Sequence, residues 1–290
     1  MEYNDTISRH FEEIKYKEED KKFQVKGVDF IYLINLDRRP DRLFRCMQQL
    51  APYRIEPHRV PGIDGWKLSQ ETFHDIAMLV QPFMEYDRNV QVSFVLGGSQ
   101  GVPFNESLYG KRCLHKEAPG GGMGGCLTHL SILNDAYLSG YQTVWILEDD
   151  FTVKGDPHQL THLMEQLDQE GEDWDVLYTD DDCYYTLFNV QANSGSEKWL
   201  RPGMPITMAQ IERKPVGRDF MKIGGRTQAH SYLVRRSGIK KILDFVKRNC
   251  LFFPFDTELP CIEGLKLYNL RYDLVHGRDR SGSDTYHKRR

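Results

Sequence analysis

TVWILEDDF, Thr143–Phe151, is the stretch whose reading decides the fold. Its first five residues are apolar or β-favouring and read as a buried strand; Glu148, Asp149 and Asp150 follow without a break. Adjacent like charges repel, and carboxylates drawn out of water are costly unless something positive compensates. A strand that ends on three acids therefore implies a partner cation, from the chain or from solution.

Working outward, the same arrangement occurs near the start. VDFIYLIN, Val28–Asn35, reads as a buried strand and LDRRPDR, Leu36–Arg42, as the turn after it. Pro40 is placed to open a helix, on which Leu43, Cys46, Met47 and Leu50 recur at i, i+3, i+4 and i+7. Before Thr143, the glycine run Gly120–Gly125 leads into a helical stripe of Cys126, Leu130, Leu133 and Tyr137. After the acids, Asp156 and Pro157 have the character of N-cap and N1. Gln159 holds the capping-box position, and Leu160, Leu163, Met164 and Leu167 share one face. WDVLY, Trp174–Tyr178, reads as another strand, and a helix from Ser237 carries Ile239, Ile242, Leu243 and Val246 inward. Strand and helix alternate, which predicts an α/β fold. Residues 81–119 lack periodicity and read as irregular binding loops or lids; 193–225 read as mostly loop with a short hairpin.

With 290 residues and 40% hydrophobics, the chain can build a large core without staples. Residues 1–27 form a charged lead, and 28–290 read as a single domain. A net charge of -4 gives no general affinity for nucleic acid, despite local basic spots at the Arg-rich turn and the terminal HKRR. Six cysteines without a CxxC pair indicate neither a zinc site nor a disulfide framework, which fits a reducing, cytoplasmic setting. The lead lacks the apolar core of a signal peptide, and runs such as FIYLI and LFFPF fall short of the roughly 20 residues a bilayer requires. Contact with a membrane, at its inner face, would be peripheral.

In open α/β sheets ligands collect outside the carboxyl ends of strands, where both LDRRPDR and the three acids lie. Carboxylates there suit Mn²⁺ or Mg²⁺, which bridge acids to substrate phosphates. The alternative is a solvated acidic turn ahead of the next helix. The glycine run resembles a phosphate cradle, but the Lys-Ser/Thr of a P-loop is missing. It reads as a flexible turn that lets backbone approach a ligand, or as a plain loop. Asp180, Asp181 and Asp182 also follow a strand, either to bind hydroxyls or as a solvated turn.

Three blocks then match a known pattern: INLDRRPDR; GGCLTHLSILNDAYLSGYQTVWILEDDF; and AHSYLVRRSGIKKIL followed by PFDTELP. In order and spacing, from about Val28 to Thr285, they resemble glycosyltransferase family 25, which includes lipooligosaccharide and procollagen galactosyltransferases. The resemblance implies a GT-A-type, Rossmann-like nucleotide-sugar fold with a mixed sheet flanked by helices. It also implies metal-assisted, inverting transfer of a hexose, usually galactose from UDP-galactose, to a saccharide or glycoprotein hydroxyl. Carried over, Asp150 and Glu148 hold the metal and Asp149 the donor, although Asp149 and Asp150 are interchangeable at this level. Asn35, Asp37 and Arg38 line the nucleotide pocket, and Arg42 joins them or forms a surface ion pair. Gly125, Cys126, Thr128 and His129 meet the family's GCxxSH pattern with Thr for Ser. His129 either reaches the donor or packs. Asp256 matches the acid expected to act as base, with Glu258 two residues on and Asp181 in the competing cluster. His276 is implied as a further metal ligand, and Arg278 and Arg280 as partners of the pyrophosphate. Ser283, Asp284 and Thr285 resemble the family's SDT ending. A scaffold protein that keeps the fold without activity, and a metal-dependent nucleotidyl or phosphoryl transferase, are the rival readings.

Overall fold

The computed structural model describes residues 5–15, 17, 24–86, 90–94, 102–116, 118, 120–185, 190–192, 201–204 and 212–277. Eight strands form the central sheet: β1 (Phe30–Asn35), β2 (His58–Pro61), β3 (Thr143–Glu148), β4 (Val176–Tyr178), β5 (Arg213–Val216), β6 (Phe220–Ile223), β7 (Ser231–Arg235) and β8 (Leu267–Leu270). Their order is β5-β6-β8-β4-β7-β3-β1-β2. β1 pairs parallel with β2 and β3, and β8 pairs parallel with β4. β7 runs antiparallel between β3 and β4, and the β5-β6 hairpin closes the far edge. The sheet is mixed, as the resemblance implied.

The inner strands are buried on both faces, and their side chains separate with period two. Phe30, Tyr32, Val144, Ile146, Tyr232 and Val234 face one apolar cluster, shared with α2 (Gly120–Leu138) and α4 (Arg236–Asn249). Ile31, Leu33, Trp145, Leu147, Leu177 and Leu233 face the other, shared with α1 (Pro40–Leu50) and α3 (Gln159–Gln169). Helices therefore cover both sides, as the i, i+3, i+4 stripes predicted.

Two sequence expectations change, and a third gains its place in the fold. Within 81–119, the strands Gln91–Phe94, Val102–Pro103 and Arg112–His115 join Met78–Leu79 in a separate four-stranded sheet. Its strands are two to four residues long, too short for alternation to register in the sequence. Gly120–Gly125 is not a turn but the opening of α2. Close packing demands glycine at Gly124 and at the facing Gly65: a Cβ on Gly124 would collide with Ile63 O, and one on Gly65 with Gly120 O. Lastly, the hairpin expected in 193–225 belongs to the main sheet as β5 and β6. The described part of the charged lead packs onto the domain, with Ile7 fully buried, His10 bonded to Asp75 at 2.8 Å and Glu12 N donating to Ser131 Oγ at 2.9 Å.

Candidate active site

The parallel strands β1, β3 and β4 end at one edge of the sheet. Because β7 is antiparallel, its amino end lies at that same edge, with Ser231 opposite Leu147. A cavity of about 370 Å³ opens there, lined among others by Asn35, Arg38, Arg42, His129, Glu148, Asp149, Asp150, His230 and Asp256.

Asp149 is clamped from two sides. Asn35 Nδ2 donates to its Oδ2 at 2.7 Å, and Arg42 Nη1 donates to its Oδ1 at 2.8 Å. Asn35 is itself oriented by Arg59 Nε, which donates to its Oδ1 at 3.1 Å. Burial still raises the Asp149 carboxyl above its ordinary value, against the opposing pull of Arg42 and Asn35. Arg42 is thus a cavity residue and buried, not a surface ion-pair partner. The turn after β3 is tied to α1, since Cys46 Sγ donates to Asp149 O and Gln49 bonds both Phe151 O and Val153 N.

Glu148 pairs with His129, whose Nε2 lies 3.0 Å from Oε1. Burial would raise this carboxyl, but the His129 bond and the charges of His129, His230 and Arg42 hold it below its usual value. That direction is consistent with a side chain that keeps 36% of its surface accessible. His129 also meets Tyr232 Oη through Nδ1 at 2.9 Å and stacks on Phe255 at 4.4 Å. Packing and pairing are both satisfied by one ring.

Asp150 differs from its neighbours. Its Oδ1 is buried and has no hydrogen-bond partner among the described residues. Burial, then the charge of Glu148, pushes its carboxyl up to about 6. An orphaned anionic oxygen beside a second carboxylate is what a hard divalent cation would satisfy, so Asp150 and Glu148 fit Mn²⁺ or Mg²⁺.

Asp256 stands on the wall formed by Phe253–Thr257. Its Oδ2 accepts from Gln228 N at 2.5 Å and its Oδ1 from Thr257 N at 2.9 Å. Burial raises its carboxyl above the ordinary value despite both bonds.

The other predicted residues divide between the cavity wall and positions outside it. Arg38 lines the cavity and donates to Asp64 Oδ2 at 2.7 Å. Asp37 points outward, 81% exposed and paired with Arg59, and does not line the cavity. Glu258 is buried under the wall, where Oε2 accepts from Phe252 N and Phe253 N and Oε1 pairs with Arg201. Asp181 is outside the cavity, bonded through its N to Asp273 and through Oδ1 to Asn269. Arg278, Arg280 and Ser283–Thr285 lie outside the described residues.

His276 belongs to a second cluster adjoining the first. Asp180 Oδ2 accepts from His230 at 2.9 Å and His276 at 3.2 Å, while Arg226 meets both carboxylate oxygens at 2.9 and 3.2 Å. Burial opposes ionisation of Asp180, but Arg226 and the two imidazoles hold its carboxyl well below the usual range. The Asp180 hydrogen bond in turn raises His276. Asp180, His230 and His276 have spacing that could hold a metal ion. However, the guanidinium already neutralises Asp180, so the better oxygen donors are Asp150 and Glu148. His230 links the two clusters: it lines the cavity, and its carbonyl accepts from Glu148 N at 2.8 Å. Reading strands for their carboxyl ends passes over His230, because it precedes an antiparallel strand; its place in AHSYLV was the available signal.

Comparison with known proteins identifies the family of the chain. The chain resembles the human protein named Inactive glycosyltransferase 25 family member 3, with 29% identity over 153 residues, 52% of this chain and 22% of that protein. It resembles the Aedes aegypti Glycosyltransferase 25 family member with 25% identity over 239 residues, 80% of this chain and 31% of that one. Human Procollagen galactosyltransferase 2 is 26% identical over 156 residues, 52% of this chain and 20% of its own length. The matched regions thus span between a fifth and a third of these relatives. Residues 28–258 match the family described as Glycosyltransferase family 25 (LPS biosynthesis protein), and with four-fifths of its length inside that match the chain belongs to glycosyltransferase family 25.

Proposed function

We propose that the chain is a metal-dependent inverting glycosyltransferase that moves a hexose, galactose from UDP-galactose, onto a saccharide hydroxyl. The observation that carries this is the unsatisfied Oδ1 of Asp150, beside Glu148 and the clamped Asp149, in a cavity whose facing residues include Asp256. Asp150 and Glu148 would hold Mn²⁺ or Mg²⁺, which supplies positive charge to the diphosphate when bound. Asn35 and Arg42 keep Asp149 in place for the donor. Asp256, fixed by two backbone N–H groups, accepts the proton of the acceptor hydroxyl as its oxygen bonds to the anomeric carbon. The bond from that carbon to the diphosphate breaks, and its electron pair leaves on UDP. The acceptor is a lipooligosaccharide core sugar, in keeping with the family's description, or a glycoprotein as the name of the procollagen relatives suggests. We place the enzyme in the cytoplasm, with peripheral contact at the inner face of a membrane.

A second reading has one specific support: the human relative at 29% identity is named inactive. A panel of nucleotide sugars and saccharide acceptors, scored for free UDP with Mn²⁺ and with EDTA, separates them. UDP release that requires metal and acceptor is expected. UDP binding without any turnover would establish the inactive binding protein, and release of pyrophosphate or a phosphorylated product would establish a nucleotidyl or phosphoryl transferase.

A further inference from the structure

Gly125 is the sixth residue of α2 and lines the cavity. Its backbone is helical, so nothing in its conformation requires glycine, and glycine is the poorest helix former after proline. Packing does not require it either: a Cβ at Gly125 would meet nothing within 4 Å, whereas one at Gly124 would strike Ile63 O. The neighbouring glycine is therefore explained by the fold, and Gly125 is not. What a side chain at Gly125 would occupy is the cavity itself.

The position within the cavity indicates what needs that room. His129 is one turn further along the same face, about 6 Å away by helical rise, and its Nε2 holds Glu148. Cys126, the next residue, donates to Phe253 O at the start of the Asp256 wall. Gly125 thus lines the same cavity as the acids assigned to the diphosphate and adjoins, through Cys126, the wall that carries the proposed base. In a donor nucleotide sugar, the group attached directly to the diphosphate and facing the base is the hexose.

We propose that Gly125 is a specificity-determining residue, which leaves open the volume taken by the hexosyl ring of the donor. The inference rests on the reading of the cavity as a UDP-sugar site. It separates two parts of one ligand: the UDP moiety should be indifferent to a side chain at Gly125, and the hexose should not.

Calorimetric titration of UDP and of UDP-galactose, each with Mn²⁺, into the wild type, Gly125→Ala and Gly125→Val tests this, alongside thermal melting. Gly125→Ala should melt about 2 °C higher, since it gains helix propensity without a clash. Gly125→Val should bind UDP as the wild type does but bind UDP-galactose roughly tenfold or more weakly, the scale of one misplaced methyl or methylene group in a fitted pocket. Gly125→Ala should show a smaller drop in the same direction, which keeps the test intact if the valine variant does not fold. A wild type that binds both ligands while the variants match it, or that loses UDP and UDP-galactose equally on substitution, overturns this inference alone. A fall in melting temperature of several degrees for Gly125→Ala would make the glycine a packing requirement and overturn it as well. A wild type that binds neither ligand removes the functional reading and this inference together.

Discussion

Arg42 Nη1 lies 2.8 Å from Asp149 Oδ1, and the two side chains are 10% and 9% exposed. The pair joins α1 to the turn after β3 at a separation of 107 residues. Removing the guanidinium would strand a buried carboxylate, so Arg42→Met should lower stability by about 3 kcal/mol and abolish UDP binding. Urea denaturation checks the first part; a loss well under 1 kcal/mol would show that solvent already screens the pair.

Asp150 should make the protein less stable as pH rises. Its carboxyl titrates near 6 in the fold against an ordinary 3.8, so folding takes up a proton between those values. The group favours the fold below pH 3.8, and that contribution is lost as pH rises through 6. In the presence of EDTA, Asp150→Asn should therefore be more stable than wild type at pH 8, by about 1 kcal/mol or more, with the gain shrinking toward pH 4. Turnover should be absent. Melting curves across that range decide the matter, and equal stability at pH 8 would mean that the carboxylate is compensated without a cation.

Replacing Asp256 by Asn preserves shape but removes the charge that takes the acceptor's proton. Transfer should fall by about 10² or more, with UDP-galactose affinity within a few-fold of wild type. Single-turnover rates on saturated enzyme provide the measurement. Collapse of donor binding with a normal rate per bound complex would reassign Asp256 to the donor.

Glu258 gives the contrasting case. Its carboxylate and the Arg201 guanidinium are 2% and 1% exposed, and it also anchors two backbone N–H groups. Glu258→Ala should cost about 3–5 kcal/mol by leaving Arg201 buried without its partner. Turnover per folded molecule should drop far less than in Asp256→Asn, which active-site titration against UDP would show.

Metal and nucleotide should bind cooperatively. Asp150 and Glu148 offer too few ligands for a tight cage, so diphosphate oxygens must complete the coordination of Mn²⁺. UDP should strengthen Mn²⁺ binding, and Mn²⁺ should strengthen UDP binding by the same factor. Calorimetry in both orders measures it, and a factor near one would exclude a nucleotide-bridged ion.

Much of the scaffold was legible because long elements carry periodic signals. α1 begins at the proline that announces it, and β1 and β3 are apolar on both faces as buried strands must be. The four-stranded sheet, built from strands of two to four residues, was not legible, since such pieces fit any period. The site was legible in type but not in partnership. Asp149 and Asp150 are adjacent in sequence, yet only three-dimensional structure distinguishes the acid held by Arg42 and Asn35 from the acid with an orphaned oxygen. Glu258 carries the same charge as Asp256 two residues away, but the short helix Phe255–Glu258 turns one toward the cavity and the other toward Arg201.

The order of the sheet also bears on how the chain is made. β1 can meet β2 as soon as residue 61 has emerged, but its other neighbour, β3, ends at residue 148. For most of a hundred residues of synthesis, a strand buried on both faces in the finished fold has one open edge. Such long-range pairing slows folding and leaves the nascent chain prone to association with other copies.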